Sequence, residues 1–215
     1  MATGDELGKV ERVFDRLAEG YDRQINWSER VLLGHAREWA VAQTSGAVLE
    51  IGVGTGLNLP LYGPAATSVI AIDLSEKMLR IARDRVPAAD GRIMLRRGDV
   101  QQLDVPDGSV DTAISTYTFC TIPDPRAAAR EVFRVLRPGG RFILAEHGPV
   151  RNRAVAAAMR LLEPMMVRLA ADHLTREPVP YLTGAGFVIE SLVRTGRGGI
   201  TFRVMARKPE FPPVR

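Results

Sequence analysis

The sequence of 215 residues is 46% hydrophobic and 25% charged, which is typical of a globular domain and excludes a mainly disordered chain. A single cysteine, Cys120, excludes an internal disulfide and a cysteine-based metal cluster, and we expect no bound metal. Residues 1–20 are charged where a signal peptide would be apolar, and no run approaches the ~18 apolar residues of a membrane-spanning helix. These features predict a cytoplasmic protein without stable insertion in a membrane.

The net charge of +4 comes from arginines that are scattered along the chain. A nucleic-acid-binding protein would carry a continuous basic stripe with interleaved aromatic residues, whereas only 6% of the residues here are aromatic. We therefore interpret the basic residues as a solvated surface and expect no nucleic-acid partner.

The chain order of the predicted elements is typical of an α/β sheet. Residues 1–45 carry a charged helical pattern and are predicted to form a helical cap, in one structural unit with the sheet of residues 46–215. From Val48 onward, short apolar runs alternate with helical patterns, which indicates a parallel sheet. The predicted strands are 47–51, 68–72, 92–96, 110–115 and 141–146, followed by an antiparallel pair, 187–195 and 200–206.

Three helices are predicted among these strands, at 75–86, 125–136 and 154–171. Asp124 is a predicted N-cap for the second helix, and Pro138-Gly139-Gly140 ends it. Pro164 should kink or split the third helix. The Met and Leu residues of this helix are interpreted as core or as a pocket wall, and its arginines leave peripheral contact with a membrane surface as an alternative.

A glycine-rich turn follows the first predicted strand, where the sequence reads VLEIGVGTG. Glu50 closes the strand, and Gly52, Gly54 and Gly56 follow at alternate positions. Because glycine has no Cβ, such a turn lets the backbone bend sharply and approach a ligand closely. An NAD fingerprint would need a small residue where Leu57 stands. The turn therefore predicts a nucleoside site of another kind.

Two further acidic residues stand at the ends of predicted strands. Asp73 ends the second strand, where a carboxylate can accept two hydrogen bonds from a ribose diol. Asp99 follows the third strand and can accept from an adenine amino group while Val100 covers the ring. Ligands of open α/β sheets lie at the carboxyl ends of the strands, so these residues and Ser115 are predicted to share one site with the glycine turn.

Four stretches, LEIGVGTG, AIDLSEKML, RGDVQQLDVPDGSVD and EVFRVLRPGGRFILAEH, resemble successive motifs of the class I methyltransferases that use S-adenosylmethionine (SAM). In particular, these stretches are similar to those of ubiquinone and menaquinone methyltransferases and phosphatidylethanolamine N-methyltransferases. Glu146-His147 and residues 173–177 and 185–187 resemble the tail of the alkyl thiol methyltransferases. The resemblance implies a Rossmann-like α/β sheet, mostly parallel with a final antiparallel strand pair and helices on both faces. It also implies SAM as cofactor and S-adenosylhomocysteine as product.

Carried over to this sequence, the resemblance implies a cofactor site at the strand ends. The glycine turn and Glu50 would surround the methionine part of SAM, and Asp73 would bind the ribose. Residues 14–22 also resemble the opening of these enzymes, where a tyrosine lies by the methionine end. The implied cofactor-binding residues are Tyr21, Glu50, Gly52, Gly54, Gly56, Asp73, Leu74, Met78, Asp99, Val100 and Ser115.

Methyl transfer requires chiefly that the acceptor lie near ~3 Å from the methyl carbon. A hydroxyl or a protonated amine must also lose a proton, whereas a thiol supplies some thiolate unaided. His147 is the candidate catalytic base, with a structural role as the alternative. The predicted substrate-pocket residues are Tyr117, Phe119, Cys120 and His173, and helix capping is the alternative for His173.

The sequence therefore predicts methyl transfer to oxygen, sulfur or nitrogen of a small, partly apolar molecule, by a monomer or a homodimer. The alternatives are C-methylation of a quinone-like or other secondary-metabolite ring, and a SAM-binding regulatory protein without catalysis. Methylation of DNA or RNA is disfavoured, because residues 115–120 lack the Asn/Asp-Pro-Pro-aromatic cluster of amino-methylating nucleic-acid enzymes.

Overall fold

Seven strands form one sheet in the computed structural model, which describes residues 4–86 and 90–210. The strands are β1 (Gly46–Ile51), β2 (Ala66–Asp73), β3 (Ile93–Arg97), β4 (Val110–Thr116), β5 (Leu136–His147), β6 (Val188–Thr195) and β7 (Thr201–Arg207). Their order across the sheet is β3-β2-β1-β4-β5-β7-β6. Strands β1 to β5 run parallel, and β7 lies antiparallel between β5 and β6. The predicted α/β fold with a final antiparallel pair is confirmed.

Six α-helices surround this sheet in the described part of the chain. They are α1 (Gly4–Ser28), α2 (Ala36–Ala42), α3 (Glu76–Arg83), α4 (Pro125–Val135), α5 (Arg153–Ala170) and α6 (Val179–Ala185). A π-helical turn, Glu29–Leu33, continues α1. Helices α4 and α6 share one apolar core with the sheet, and α2 and α3 share a second core with it. The helices therefore cover both faces of the sheet.

The residues of β1 show how the sequence builds these two cores. Leu49 and Ile51 belong to the core under α4 and α6, whereas Val48 belongs to the core under α2 and α3. Because successive side chains of a strand point to opposite faces, a strand that is covered on both faces is apolar almost throughout. Glu50 is the exception in β1, and its buried carboxylate belongs to a polar network of the site.

The boundary between α4 and β5 differs in part from the prediction. Asp124 caps α4 as predicted, since its Oδ1 accepts hydrogen bonds from the backbone N–H groups of Arg126 and Ala127 at 3.1 and 3.0 Å. The helix ends at Val135, but the strand begins at once at Leu136 rather than at Arg141. The backbone of residues 139 and 140 pairs with Lys208, beyond β7, and this long-range pairing was not visible in the local turn residues.

Helix α5 continues through Pro164 as one element, so the prediction that Pro164 splits it is wrong, whereas a kink at Pro164 stays a prediction. Proline removes one backbone hydrogen bond, and in a surface helix water can satisfy the carbonyl that loses its partner. Ala156 is the one buried residue of α5, which places this helix at the surface. Among the described residues, no helix has both the length and the apolar character that crossing a bilayer requires.

Helix α1 is held against the loops that follow β1 and β2. The hydroxyl of Ser75 donates to Asp15 Oδ1 at 2.6 Å, and that of Thr55 donates to Asp22 Oδ1 at 2.6 Å. Arg85 also pairs with Asp22. These bonds fix α1 above the carboxyl ends of the strands. The division of the chain into a cap of residues 1–45 and a domain of residues 46–215 stays a prediction.

We expect Gly196→Ala to destabilise the fold by about 2–4 kcal/mol. Gly196 has a φ of 70°, and a Cβ there would lie 2.6 Å from the backbone oxygen of Leu32. Urea unfolding measures the loss. Gly63→Ala is the control, because a Cβ at Gly63 meets no atom within 4 Å, and equal stability of the two variants would contradict this reasoning.

Candidate functional site

A cleft lies at the carboxyl ends of β1, β2 and β3, beneath α1, with about 640 Å³ of empty space that includes its opening to solvent. It brings together the glycine turn, the end of β2 and the residues after β3, which are far apart in the sequence. The predicted residues that line it are Tyr21, Gly52, Gly54, Asp73, Leu74, Met78, Asp99 and Val100. Glu50, Gly56 and Ser115 are not among the described residues that line it. Because it contains most of the predicted cofactor-binding residues, we call it the cofactor cleft.

The three glycines of the turn all have positive φ, but for different structural reasons. At Gly52 a Cβ would lie 2.1 Å from Thr118 Cγ2, and at Gly56 it would lie 2.8 Å from Leu59 Cδ1. Gly52 and Gly56 therefore allow close packing within the protein. At Gly54, whose φ is 56°, a Cβ would meet no heavy atom within 4 Å. Gly54 also lines the cofactor cleft, so the space beside it is free for a ligand.

Asp73 connects the glycine turn to the end of β2. Its Oδ2 accepts a hydrogen bond from Gly54 N at 2.8 Å, and its Oδ1 accepts one from Ser75 N at 2.9 Å. Burial raises the pKa of this carboxyl, while the backbone hydrogen bonds oppose that rise. Each carboxylate oxygen keeps a second lone pair, so Asp73 can also accept from the two hydroxyls of a ribose.

The residues after β3 close the other end of the cleft. Asp99 Oδ1 accepts hydrogen bonds from Gln101 N and Gln101 Nε2, each at 2.9 Å. Val100 and Met78 line the cleft as apolar side chains, and Met78 is buried. A flat aromatic base between these side chains would therefore have an apolar surface for its ring and a carboxylate for its amino group.

Glu50 lies behind the glycine turn in a buried polar network. Its Oε1 accepts from Asn58 Nδ2 at 2.7 Å, and its Oε2 accepts from the Tyr62 hydroxyl at 2.8 Å. Arg37 donates to Asn58 Oδ1 at 2.8 Å and so extends the network to α2. Burial raises the pKa of Glu50 to about 7, although these hydrogen bonds lower it. Both carboxylate oxygens of Glu50 therefore bind other side chains of the protein in this structure.

Ser115 and Glu146 fix the loop that follows β4. Glu146 Oε1 accepts from the Ser115 hydroxyl at 2.7 Å and from the backbone N–H groups of Thr118 and Phe119 at 3.0 Å each. Burial raises the pKa of Glu146, and these hydrogen bonds oppose the rise. In this position Ser115 orients the loop that borders the cofactor cleft.

A second, larger cavity adjoins the cofactor cleft, with about 1070 Å³ of empty space that includes its opening to solvent. Phe14, Tyr21, Tyr117 and Thr121 line both cavities and form their junction. Helix α1 and the π-helical turn after it supply about half of the residues that line the second cavity, α5 supplies Met166 and Ala170, and most of the lining is apolar. We call it the acceptor cavity. Predicted residues that line it are Tyr21, Tyr117, Cys120 and His147.

His147, Asp172 and Cys120 lie together on the wall of the acceptor cavity. His147 Nε2 is 3.0 Å from Asp172 Oδ1. Burial lowers the pKa of His147, but the adjacent Asp172 carboxylate outweighs burial and raises it above its ordinary value of 6.5. Burial raises the pKa of the Cys120 thiol well above its usual range, and the Asp172 charge adds to that rise. The imidazole is therefore the titratable group suited to accept a proton here.

Tyr117 occupies the junction in a conformation that is rare for a side chain of its size. Its φ is 54°, in the left-handed region, and its buried hydroxyl has no hydrogen-bond partner among the described residues. Left-handed backbone at a bulky residue costs about 1–3 kcal/mol and is concentrated at functional sites. A buried hydroxyl without a partner is costly, so this residue at the junction of the two cavities is a candidate for a functional role.

Two predicted pocket residues lie outside the residues that line the acceptor cavity. Phe119 packs in the core against Phe142 and Tyr181, with ring centroids 6.2 Å away in each case. His173 faces a separate surface groove, where its Nδ1 is 3.5 Å from Glu163 Oε1. The assignment of both residues to substrate binding stays a prediction.

Sequence reasoning missed Asp172 and the α1 side chains that cover the cofactor cleft. Asp172 follows Ala171, whose φ of 55° turns the chain at the end of α5. The position of Asp172 next to His173 was the available signal for a polar site. Nothing in the local sequence indicates that Asp172 contacts His147, which is 25 positions away. The missed α1 residues are Leu7, Val10, Glu11 and Phe14.

The cofactor cleft fits SAM on the groups that it presents. Gly54 leaves open space, Asp73 offers acceptors for a ribose diol, and Asp99 and Val100 offer a carboxylate and an apolar surface for adenine. The cleft lies at the carboxyl ends of parallel strands in the Rossmann-like arrangement. The fold and the groups of this cleft are those expected of the class of SAM-dependent methyltransferases that share a Rossmann-like sheet.

Comparisons with known proteins confirm this class and the cofactor. Residues 49–144 match the family described as Methyltransferase domain. A demethylmenaquinone methyltransferase of Clavibacter sepedonicus is 28% identical over 177 residues, covering 77% of this chain and 71% of the relative. A phosphatidylethanolamine N-methyltransferase of Cereibacter sphaeroides is 39% identical over 119 residues, covering 54% and 58%. A SAM-dependent methyltransferase structure from Thermotoga maritima has a TM-score of 0.70 at 23% identity, covering 92% of this chain and 99% of that one.

Proposed function

We propose that this enzyme methylates an oxygen, sulfur or nitrogen atom of a small, largely apolar molecule. The observation that carries the proposal is the His147–Asp172 pair on the wall of the acceptor cavity, 3.0 Å apart. The rest of that wall is mainly apolar, which suits an acceptor with a large hydrocarbon part and one reactive polar group.

The chain's own residues hold the cofactor in this proposal. SAM supplies an electrophilic methyl group on a sulfonium when it is bound. Asp73 would hold the ribose diol, and Asp99 and Val100 would hold adenine. Gly54 and Tyr21 would hold the methionine end. The position of all these residues on the wall of the cofactor cleft supports these assignments.

His147 is the proposed catalytic base. In this proposal Nε2, which lies 3.0 Å from Asp172 Oδ1, carries the proton of the neutral imidazole, and Nδ1 accepts the proton of the acceptor. The acceptor's lone pair would form the new bond to the methyl carbon as the methyl–sulfur bond breaks and S-adenosylhomocysteine leaves. The O–H, S–H or N–H proton of the acceptor would pass to Nδ1. Asp172 stabilises the resulting imidazolium by its charge. Tyr117 is a positioning residue whose hydroxyl can bind the acceptor at the junction.

A second candidate is methylation of a ring carbon in a quinol. The relative from Clavibacter sepedonicus is named for demethylmenaquinone, although it is only 28% identical. The same His147 would take the proton of a quinol hydroxyl, and the resulting oxyanion would make the adjacent ring carbon nucleophilic. That carbon would lose its own proton after it gains the methyl group, which restores the aromatic ring. This candidate needs the same cavity and base, and it differs in the bond that forms.

The product bond distinguishes these two functions. We would incubate the enzyme with SAM carrying a carbon-13 methyl group and a panel of alkyl thiols, phenols, amines and a demethylated naphthoquinol, and identify products by NMR. The proposal expects a methyl signal attached to O, S or N for at least one acceptor. A methyl signal on ring carbon alone would support the second candidate, and transfer to none of these acceptors would contradict both.

A further inference from the structure

The outer side of α5 carries large apolar side chains in contact with solvent. Leu161 is 83% exposed, Leu169 is 61% exposed and Met165 is 51% exposed. These three residues recur every four positions and therefore share one side of the helix. Leu162 and Val155 extend the same stripe and are about half exposed. Single exposed apolar residues are ordinary, but a continuous stripe of five on one helix marks an interaction surface.

A basic stripe lies beside the apolar stripe on the same helix. Arg153, Arg160 and Arg168 are exposed and follow one another at intervals of seven and eight residues, so they share one side of α5. Met166 and Ala170 belong to the inner side, where they line the acceptor cavity. Helix α5 thus has three sides. One faces the protein, the second is apolar and exposed, and the third is basic and exposed.

The end of α1 and the π-helical turn after it repeat this combination. Trp27 is 61% exposed and Val31 is 40% exposed, four positions apart, and Arg23 and Arg30 are exposed beside them. Helices α1 and α5 contact each other and both line the acceptor cavity. We call these exposed residues the α1–α5 surface; they are Arg23, Trp27, Arg30, Val31, Arg153, Val155, Arg160, Leu161, Leu162, Met165, Arg168 and Leu169.

We propose that the α1–α5 surface docks on the surface of a lipid bilayer that contains anionic lipids. Apolar side chains of this kind enter the boundary between headgroups and acyl chains, while adjacent arginines pair with lipid phosphates. Tryptophan is enriched at that depth of the bilayer. Docking in this way places the two helices that line the acceptor cavity against the membrane. Delivery of a bilayer-dissolved acceptor rests on the proposed function, whereas docking itself does not.

The arginines favour a membrane over a second copy of the chain. A two-fold interface would bring the same patch of each copy together, and its five arginines would then face one another. The charge around the α1–α5 surface is mainly positive, although the exposed Glu19 lies one turn before Arg23 on α1. An anionic bilayer instead offers negative charge over the whole docking area.

Co-sedimentation with vesicles tests the docking directly and requires no methyl acceptor. We expect the protein to sediment with phosphatidylcholine vesicles that contain phosphatidylglycerol, and much less with phosphatidylcholine alone. Binding should fall as salt rises, because salt screens the attraction of the arginines. The fluorescence of the protein should shift to the blue on binding, and Trp27→Phe should remove most of that shift.

Variants assign the binding to this surface. The triple variant Leu161→Ser, Met165→Ser and Leu169→Ser should lower vesicle binding by at least about tenfold. Arg160→Gln with Arg168→Gln should lower it by about tenfold on anionic vesicles. The matched control is Leu192→Ser with Val193→Ser on β6, which are 46% and 52% exposed and should bind as wild type.

Three results would overturn the proposal. They are an absence of vesicle binding by the folded wild type, equal binding by the triple variant and the β6 control, or a dimer in solution that the triple variant dissociates. Failure of docking would leave the acceptor panel unaffected, and failure of the acceptor panel would leave vesicle binding unaffected, so the two proposals can be separated.

Discussion

Gly54→Val is expected to weaken SAM binding by at least about a hundredfold, to the limit of detection by calorimetry. The valine side chain would extend into space that the protein leaves open and that the cofactor needs. Its φ of 56° also strains a β-branched residue by about 1–2 kcal/mol. Binding and stability therefore have to be measured on the same variant.

Gly108→Val separates these two effects. Gly108 also has a φ of 56°, and a Cβ there also meets no atom within 4 Å, but it lies in the turn before β4 and away from the cleft. Both variants should lose similar thermal stability, and only Gly54→Val should lose SAM binding. Equal SAM affinity in the two variants would contradict the proposed position of the cofactor.

Asp73→Ala should abolish SAM binding by a different route. The change removes the acceptors that hold Gly54 N and Ser75 N at 2.8 and 2.9 Å, together with the proposed ribose contacts. Asp73→Asn keeps one side-chain oxygen and should bind SAM with intermediate affinity. If Asp73→Ala binds SAM as wild type does, the ribose does not lie at the end of β2.

The second large effect is expected for His147→Ala. This change should lower the rate of methyl transfer to a phenol by about 10²–10⁴-fold, because the acceptor proton loses its base. Transfer to a thiol should fall less, since the reference thiol pKa of about 8.5 gives some thiolate at mildly alkaline pH. SAM affinity should stay unchanged. His35→Ala, at an exposed histidine, is the control.

The pH dependence gives a sharper test of the same histidine. A base must be neutral, so kcat/KM should rise with pH through the pKa of His147, which Asp172 holds above 6.5. In Asp172→Asn the negative charge is gone, and burial then lowers that pKa. The rising limb should therefore move to lower pH. Equal slowing of phenol and thiol by His147→Ala, with no move of the limb, would assign His147 a structural role.

The fold and the main residues of the cofactor cleft could be predicted from local sequence patterns. Strand ends are local features, so Asp73 and Asp99 were correctly expected at one edge of a parallel sheet. The glycine turn was equally local, because alternate glycines after an apolar strand have few other uses. The N-cap of α4 was visible for the same reason, since Asp124 bonds to residues two and three positions away.

The remainder depends on contacts between distant residues. Glu50 was expected to face the ligand, but Asn58 and Tyr62 occupy its two oxygens in this structure. Phe119 is an apolar residue that follows β4, and the local sequence does not reveal whether its side chain faces the cavity or the core. Asp172 and His147 meet only because α5 ends in a left-handed turn at Ala171. Such pairings are properties of the folded chain and have no periodic signal.

A crystal structure with S-adenosylhomocysteine would test the central claim most directly. We predict that the ribose hydroxyls bind Asp73, that adenine lies beside Asp99, and that the sulfur faces the junction formed by Tyr21 and Tyr117. An acceptor in the second cavity would then have a direct path to the methyl position. A nucleoside bound away from Asp73, or a sulfur that faces away from the acceptor cavity, would contradict this account.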